Sequence, residues 1–567
     1  MKKLLAMATM VAVVITTSCN KNDHDGDLTG LILSAQKNMI KPAETLNLSV
    51  QFFPANPKDK NLTWSSSNKV VADVDNNGKI TANGTEGFTT IRAISVSNPD
   101  VYAEFALTVS STGVVIMNGD VEGTWAKGAT VLIDNQIRVP QGKKLFVEEG
   151  VTIIVQNGAV GTPSAHIEFF VDGSLYLQGT ADNPILVTVP ESVRKTENKY
   201  VGLWGGFVGS DKFEEMLFEH VIIEYTGAVT TVASQSAVAG IIEKVGNRTA
   251  AILTDNPKGR VVVMHSTIRY AESDAIYLMG AEAIIAHNII HTIGETDNDG
   301  INTKAGVKID IAYNLMFGVN SNGLKLNSKG QAGTRYQSIK CVYNNTIVNS
   351  GWRRTKNLKG GSIFIQQNAS AYVFNNLILN CKLVTKTPDL DNPTPDDGAC
   401  WSTFVGYNFY ASGSQTWSGT NPPANFQPRN IPTAFYGNVV WSKEDDDVWH
   451  DWDNYGKFDG TLPAPRNVFP RIDQTSLFAT APGTPDPGFV NFGFNTVPLA
   501  EDMFNPQWDF RVTSANSPII AGLGDKKPRT QFTERFAPYF AVTGLMINGV
   551  EYKSPMPKAQ YGAHGVR

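Results

Sequence analysis

Two columns of residues recur in step through the middle of this chain, and they limit what it can fold into more than any other feature. Asn288, Asn314, Asn345 and Asn376 follow one another at intervals of 26, 31 and 31 residues, each with an apolar residue two positions on: Ile290, Met316, Ile347 and Ile378. Ser266 with Ile268 extends this column 22 residues upstream. A second column runs Asp274-Ala275-Ile276, Asp299-Gly300-Ile301 and Asn322-Gly323-Leu324, at intervals of 25 and 23. Self-similarity of this length marks one structural unit stacked on the next. The units are short apolar strands punctuated by Gly and Asn, with no sustained helical period, so stacked coils are expected, with equivalent residues ~4.8 Å apart. Inward Ile, Leu and Val would fill such a tube. Stacked Asn side chains can cap backbone groups at a bend and bond to one another, which accounts for the Asn column without any ligand. A chain of several sandwiches would leave two columns in step unexplained. A TIM barrel or ferritin-like bundle would need amphipathic helices, and none is found.

Composition narrows the class. At 567 residues the chain exceeds one ordinary domain, and 42% hydrophobic with 18% charged residues is globular. A formal charge of −5 without basic blocks argues against a nucleic-acid partner. Four Cys exclude a disulfide scaffold. Besides Cys19, residues Cys341, Cys381 and Cys400 allow one disulfide and leave one thiol over, with no pairing favoured.

Residues 1–18, MKKLLAMATMVAVVITTS, set two lysines before an apolar run too short to span a bilayer, which is the pattern of an export signal. The run ends Thr16-Thr17-Ser18-Cys19, which resembles the lipobox of bacterial lipoproteins. The resemblance implies cleavage before Cys19, acylation there, and contact with a membrane through the lipid anchor only. Residues 19–27 form a polar tether. Its Asp23, Asp25 and Asp27 resemble the surface-export signal of Bacteroidetes lipoproteins, which implies an outer-membrane location facing the cell exterior.

Residues 28–111 alternate with period two, as in Leu46-Leu48-Val50-Phe52 and Phe105-Leu107-Val109, with turn signals such as Asp75-Asn76-Asn77-Gly78 between runs. This pattern reads as a β-sandwich. The stretches Leu62–Asn68, Val71–Asp75 and Gly78–Ala82 resemble the group 2 bacterial Ig-like family, with Trp64 as the aromatic expected between the sheets and a spacer role implied. Residues 113–525 open with Ile137–Pro140, Lys144–Val147, Val151–Val155 and Ile167–Val171, which resemble the first coils of a right-handed parallel β-helix of the pectate-lyase-like superfamily. Trp508–Val512 and Ser517–Gly522 resemble its closing coil, after which residues 526–567 would form a cap over the open edge, or a tail. The expected fold class is therefore all-β: an Ig-like sandwich followed by a right-handed parallel β-helix.

Two places offer chemistry. Stacking brings Asp274 and Asp299 together, which raises the pKa of one of them. Such a pair can hold Ca²⁺ or divide acid and base roles on a glycosidic bond. Tyr277, Asn302 and Lys325 follow the inward anchors Ile276, Ile301 and Leu324, so they would point outward beside the carboxylates, and Tyr or Lys there could take a proton from a uronic acid. This makes Asp274, Asp299 and Lys325 the candidate catalytic set. Asn298-Asp299-Gly300-Ile301-Asn302 resembles a polygalacturonase stretch, but that family's following Asp-Asp and Gly-His-Gly are replaced here by Ser321-Asn322-Gly323 and Lys359-Gly360-Gly361, which argues against that activity. An ordinary turn accounts for the column equally well. The second place is the segment from Trp401 to Phe458, which holds five of the ten Trp: Trp401, Trp417, Trp441, Trp449 and Trp452. Aromatic faces stack on sugars, although they also fasten long loops to a scaffold. A small basic patch at Arg353, Arg354, Lys356 and Lys359 suits an acidic sugar or a solvated loop. Taken together, these features suggest a non-enzymatic cell-surface lipoprotein that presents a β-helix to an extracellular polysaccharide or a surface protein. The alternative is a polysaccharide lyase or glycoside hydrolase acting on an acidic polysaccharide.

Overall fold

The structure is a computed structural model. It describes residues 26–242, 244–295, 298–330, 335–336, 338–351, 353, 361–366, 369–379, 381, 434–436, 439–441, 477–478, 488–493, 496–498, 501–521, 538–558 and 560–567. Cys19, Cys400, Trp401, Trp417, Trp449, Trp452, Arg354, Lys356 and Lys359 lie outside these residues.

The N-terminal unit is mainly antiparallel, with Met39–Ile40 joining Tyr102–Val109 in parallel. Gly30–Ser34 pairs with Ser49–Phe53, and Leu62–Ser66, Gly87–Ser95 and Tyr102–Val109 form a sheet with Met39–Ile40. Gly87–Ser95 alternates buried and half-buried residues along its whole length, which places Ile91 and Ala93 against Leu33, Ile80 and Leu107. Trp64, on the Leu62–Ser66 strand, packs against this core and reaches Gly78, at the entry to the Lys79–Ala82 strand of the facing sheet. It is half-buried at the margin of the core, packed where Gly78 leaves room: a Cβ at Gly78 would come within 2.9 Å of the indole, and its φ of 78° also favours glycine.

From Val114 to Phe478 the strands of the coils pair in parallel with strands one coil later, and they build three faces. Sheet A runs through Glu168–Val171, Gly206–Gly209, Ile252–Thr254, Ile276–Leu278, Ile301–Thr303, Asn322–Asn327 and Gly361–Gln366. Sheet B includes Arg260–Met264, Ala281–Ala286, Val307–Ala312 and Ile339–Tyr343. Sheet C includes Thr267–Ala271, Ile289–Ile293, Leu315–Val319, Thr346–Val348 and Leu377–Leu379. The chain visits A, B and C in turn, which makes a parallel β-helix. Ile252, Ile276, Ile301, Leu324 and Ile363 stack in register inside the tube, and each is buried. Full burial of such a side chain contributes ~2 kcal/mol.

The bend from B to C explains the Asn column. His287, Tyr313, Asn344 and Asn375 take left-handed backbone conformations there, and each is followed by a column Asn. Oδ1 of Asn314 accepts from both N (3.1 Å) and Nδ2 (2.9 Å) of Asn288, while Asn314 Nδ2 donates to Ile285 O at 2.9 Å. The same pattern repeats from Asn314 to Asn345 and from Asn345 to Asn376, and Ser266 N donates to Asn288 Oδ1 at 2.9 Å. The column therefore satisfies backbone groups that the bend buries.

The ends of the chain are used differently from expectation. Asp509–Val512 is not a closing coil: it pairs antiparallel with Phe489–Asn491, and Phe492, Phe510 and Ile519 pack on Leu315, Phe317 and Val348 outside sheet C. Phe540, Leu545 and Ile547 lie against Leu217, Val262 and Ile284 outside sheet B. The N-terminal end meets the Ig-like unit, where Phe88 stacks on the fully buried Trp125 of the first sheet B strand, 5.9 Å between ring centroids, and Asn38 Nδ2 donates to Lys127 O at 2.8 Å. The Ig-like unit thus covers the first coil as well as extending the chain.

Candidate functional site

Sheets B and C carry the chain's own C-terminal segments on their outer sides, whereas the outer side of sheet A borders a cleft of about 710 Å³. The register sets its floor. Tyr277 pairs with Asn302 and Asn302 with Lys325, and all three line the cleft as their inward neighbours fill the tube. Upstream of Tyr277 in the same thread stands Leu253, beneath Ile241 of the 227–249 loop, so one end of the cleft is apolar.

Asp274 and Asp299 open two successive sheet A strands, and the structure brings them together. Asp274 Oδ1 accepts from Asp299 N at 2.6 Å, and Oδ2 accepts from Asn302 Nδ2 at 2.9 Å. Asp299 Oδ1 accepts from Asn322 N and Nδ2 at 3.1 and 2.7 Å. Asn302 Nδ2 also reaches Asp299 Oδ2 at 3.3 Å, and Lys325 Nζ lies 3.4 Å from that oxygen. Burial, reinforced by the neighbouring Asp299, raises the pKa of Asp274 well above the usual carboxylate range. The carboxylate oxygens are committed to N–H donors and an ammonium. Ca²⁺ requires six to eight oxygen ligands, so this donor set does not fit it, and no cluster of three or more His, Cys, Asp or Glu suited to a metal occurs among the described residues.

The rest of the cleft is cationic. Lys304, Lys329, Arg335 and Arg248 join Lys325 on its walls, against the acids Asp255, Asp274 and Asp299. Arg335 pairs with Asp255. Lys304 Nζ sits over the Tyr277 ring, 5.3 Å from its centroid. Burial, followed by the charge of Lys325, pulls the Lys304 ammonium down to about 8. None of these four cations was singled out in the sequence. Lys304 lies one residue past the register pair Leu278–Thr303, where the preceding coil has Met279, so it belongs to no column. Lys329, Arg335 and Arg248 sit on connecting segments without a repeat.

The other candidates fare differently. Trp441 lies in a sheet C strand paired with Leu379. Arg353 is not part of a solvated patch: its guanidinium donates to the carbonyls of Gly294, Ile293 and Gly318 at 2.5, 3.1 and 2.6 Å and faces Asp502 at 3.7 Å. Cys341 and Cys381 are both buried and are not bonded to each other.

Residues 27–105 match the family of bacterial Ig-like domains of group 2. No curated protein matches the chain.

Proposed function

We propose that the β-helix binds an acidic extracellular polysaccharide in the sheet A cleft and performs no chemistry on its glycosidic bonds. The observation that carries this reading is the lining: five basic side chains over three acids, beside the ring of Tyr277 and the apolar Ile241 and Leu253. Burial raises the pKa of Asp274, which lessens the negative charge opposing these cations. Cations with a few apolar faces suit a carboxylated sugar, whose C–H surface stacks while its anion is neutralised. The tryptophans at 401, 417, 449 and 452 would add further sugar contacts, whereas Trp441 lies in a sheet C strand away from the cleft. The lipobox and acidic tether support anchorage of Cys19 in the outer membrane with the β-helix facing outward. No helix among the described residues is long and apolar enough to cross a membrane.

A second reading is a lyase or hydrolase of the same polysaccharide, using Asp274, Asp299 and Lys325. The proximity of Lys325 to Asp299, with Tyr277 in the same thread, favours it. Incubation with a panel of acidic polysaccharides separates the two. Retardation in glycan-loaded native gels without breakdown supports binding, whereas new unsaturated products or new reducing ends support the enzyme.

A further inference from the structure

We propose that Lys304 is a nucleophilic amine that captures an anionic aldehyde, the open-chain reducing end of a uronic acid, as a reversible imine. The anionic part of this proposal rests on the cleft reading above; the covalent part rests on Lys304 itself.

Lys304 differs from the other basic groups around it. Lys325 is held by Asp299 and Arg335 by Asp255, whereas Lys304 and Lys329 have no ion pair and no side-chain hydrogen bond among the described residues, and of these two Lys329 is exposed while Lys304 is largely buried. Its Nζ projects into the cleft over the Tyr277 ring, which gives it a cation–π contact and no proton acceptor. The charged groups facing it are Lys325 and Lys329, which oppose its charge, and Asp274 and Asp299, which favour it. Of these acids, Asp299 is already matched by Lys325, and burial makes Asp274 take up a proton more readily than an ordinary aspartate. A third amine stands behind it: Lys340 occupies an inward position of sheet B, in register with Ile309, is fully buried, and donates to Asn327 O at 3.2 Å. Burial first, and then the charge of Lys304, drives the Lys340 ammonium well below its usual range. A desolvated amine beside other cations spends an appreciable fraction of its time unprotonated, and this is the standard route to a nucleophilic lysine. Lys304 falls from 10.5 to about 8, while it remains open to ligand.

The step balances without a co-reactant. The Nζ lone pair attacks the aldehyde carbon, and the carbonyl π electrons move to oxygen, which takes the proton that nitrogen gives up. The carbinolamine then loses water, leaving a carbon–nitrogen double bond; hydrolysis reverses the sequence. The carboxylate of the same sugar is met by Lys329 and Arg335 on the cleft wall.

The test is reductive trapping. The full chain is incubated with glucuronic acid and sodium cyanoborohydride at near-neutral pH, with glucose in a parallel arm, and labelled lysines are mapped by peptide mass spectrometry. The exposed Lys60 and Lys195 serve as internal references. Lys304 should be labelled about tenfold faster or more than either, and faster by glucuronic acid than by glucose, with the Lys304→Gln variant losing that label alone. Labelling of Lys304 no faster than Lys60 and Lys195 would overturn the proposal, and equal labelling by glucose would overturn its anionic part. Glycan retardation with no preferred labelling refutes the imine and leaves the binding reading standing. Preferred labelling without retardation does the reverse.

Discussion

The backbone N–H of Asp299 donates to Oδ1 of Asp274 across 2.6 Å, although 25 residues separate them. One turn of the β-helix spans that interval, so the side chain of one coil caps the backbone of the next. Asp299 does the same for Asn322, and this makes the acid column a ladder as well as part of the cleft. The Asn ladder at the B-to-C bend runs in the opposite sense, from the later side chain to the earlier backbone.

This dual role gives Asp274 a particular pH signature. Its folded-state pKa is raised, so the folded chain binds the proton more tightly than the unfolded chain does, and stability falls as pH climbs above the ordinary Asp value of 3.8. Asp274→Asn keeps an acceptor for Asp299 N, as Asn322 shows an amide fits this column, and it cannot ionise. The variant should be more stable than the parent at neutral pH by on the order of 1–3 kcal/mol and should lose that advantage in acid. Urea midpoints measured at both pH values check this; an equal loss of stability at both would contradict it.

Asn314→Ala should be severe. It leaves Asn288 N and Ile285 O without partners in a buried bend, at a cost of roughly 3–5 kcal/mol for the two groups together. Chemical unfolding should show the loss, and Asn314→Asp should restore only the acceptor half of it.

Phe88→Ala probes the cover over the first coil. Phe88 stacks on Trp125, which is otherwise shielded at the end of the tube. The expected cost is about 1–2 kcal/mol, with a red shift of Trp emission as water reaches Trp125. An unchanged spectrum and midpoint would mean that the Ig-like unit serves only as a spacer.

His291 should make the molecule acid-sensitive. Burial pushes its pKa down to about 3, where it lies 3% exposed with its ring 4.9 Å from Phe504. A depressed imidazole contributes stability that is complete above 6.5, its ordinary value, and is lost as pH falls toward the folded value. His291→Phe should therefore narrow the acid-induced loss by roughly 2 kcal/mol near pH ~5, read from urea midpoints across the acid range.

Much of this architecture was legible because stacking writes itself into spacing. Asp274, Asp299 and Asn322 could be placed as neighbours from intervals alone, and so could Tyr277, Asn302 and Lys325, because an inward anchor fixes the direction of the next side chain. Segments that pack across the coils left no such trace. The strand at Asp509–Val512 has the apolar alternation of a coil and instead closes a hairpin on sheet C. Arg353 read as surface charge because nothing local shows that three carbonyls from other coils converge on it. Lys304 and Arg335 reach the cleft from connections whose lengths vary, and periodicity carries no information there.

The central claim is that the sheet A cleft recognises negative charge on a polysaccharide. The most direct measurement is the affinity of the full chain for a polyuronate and for a neutral glucan at low and high salt, repeated with Lys304→Glu combined with Lys329→Glu. The account predicts binding of the polyuronate alone, weakened by salt and abolished in the double variant. Equal affinity for the neutral glucan, or polyuronate binding that survives both charge reversals, would contradict it.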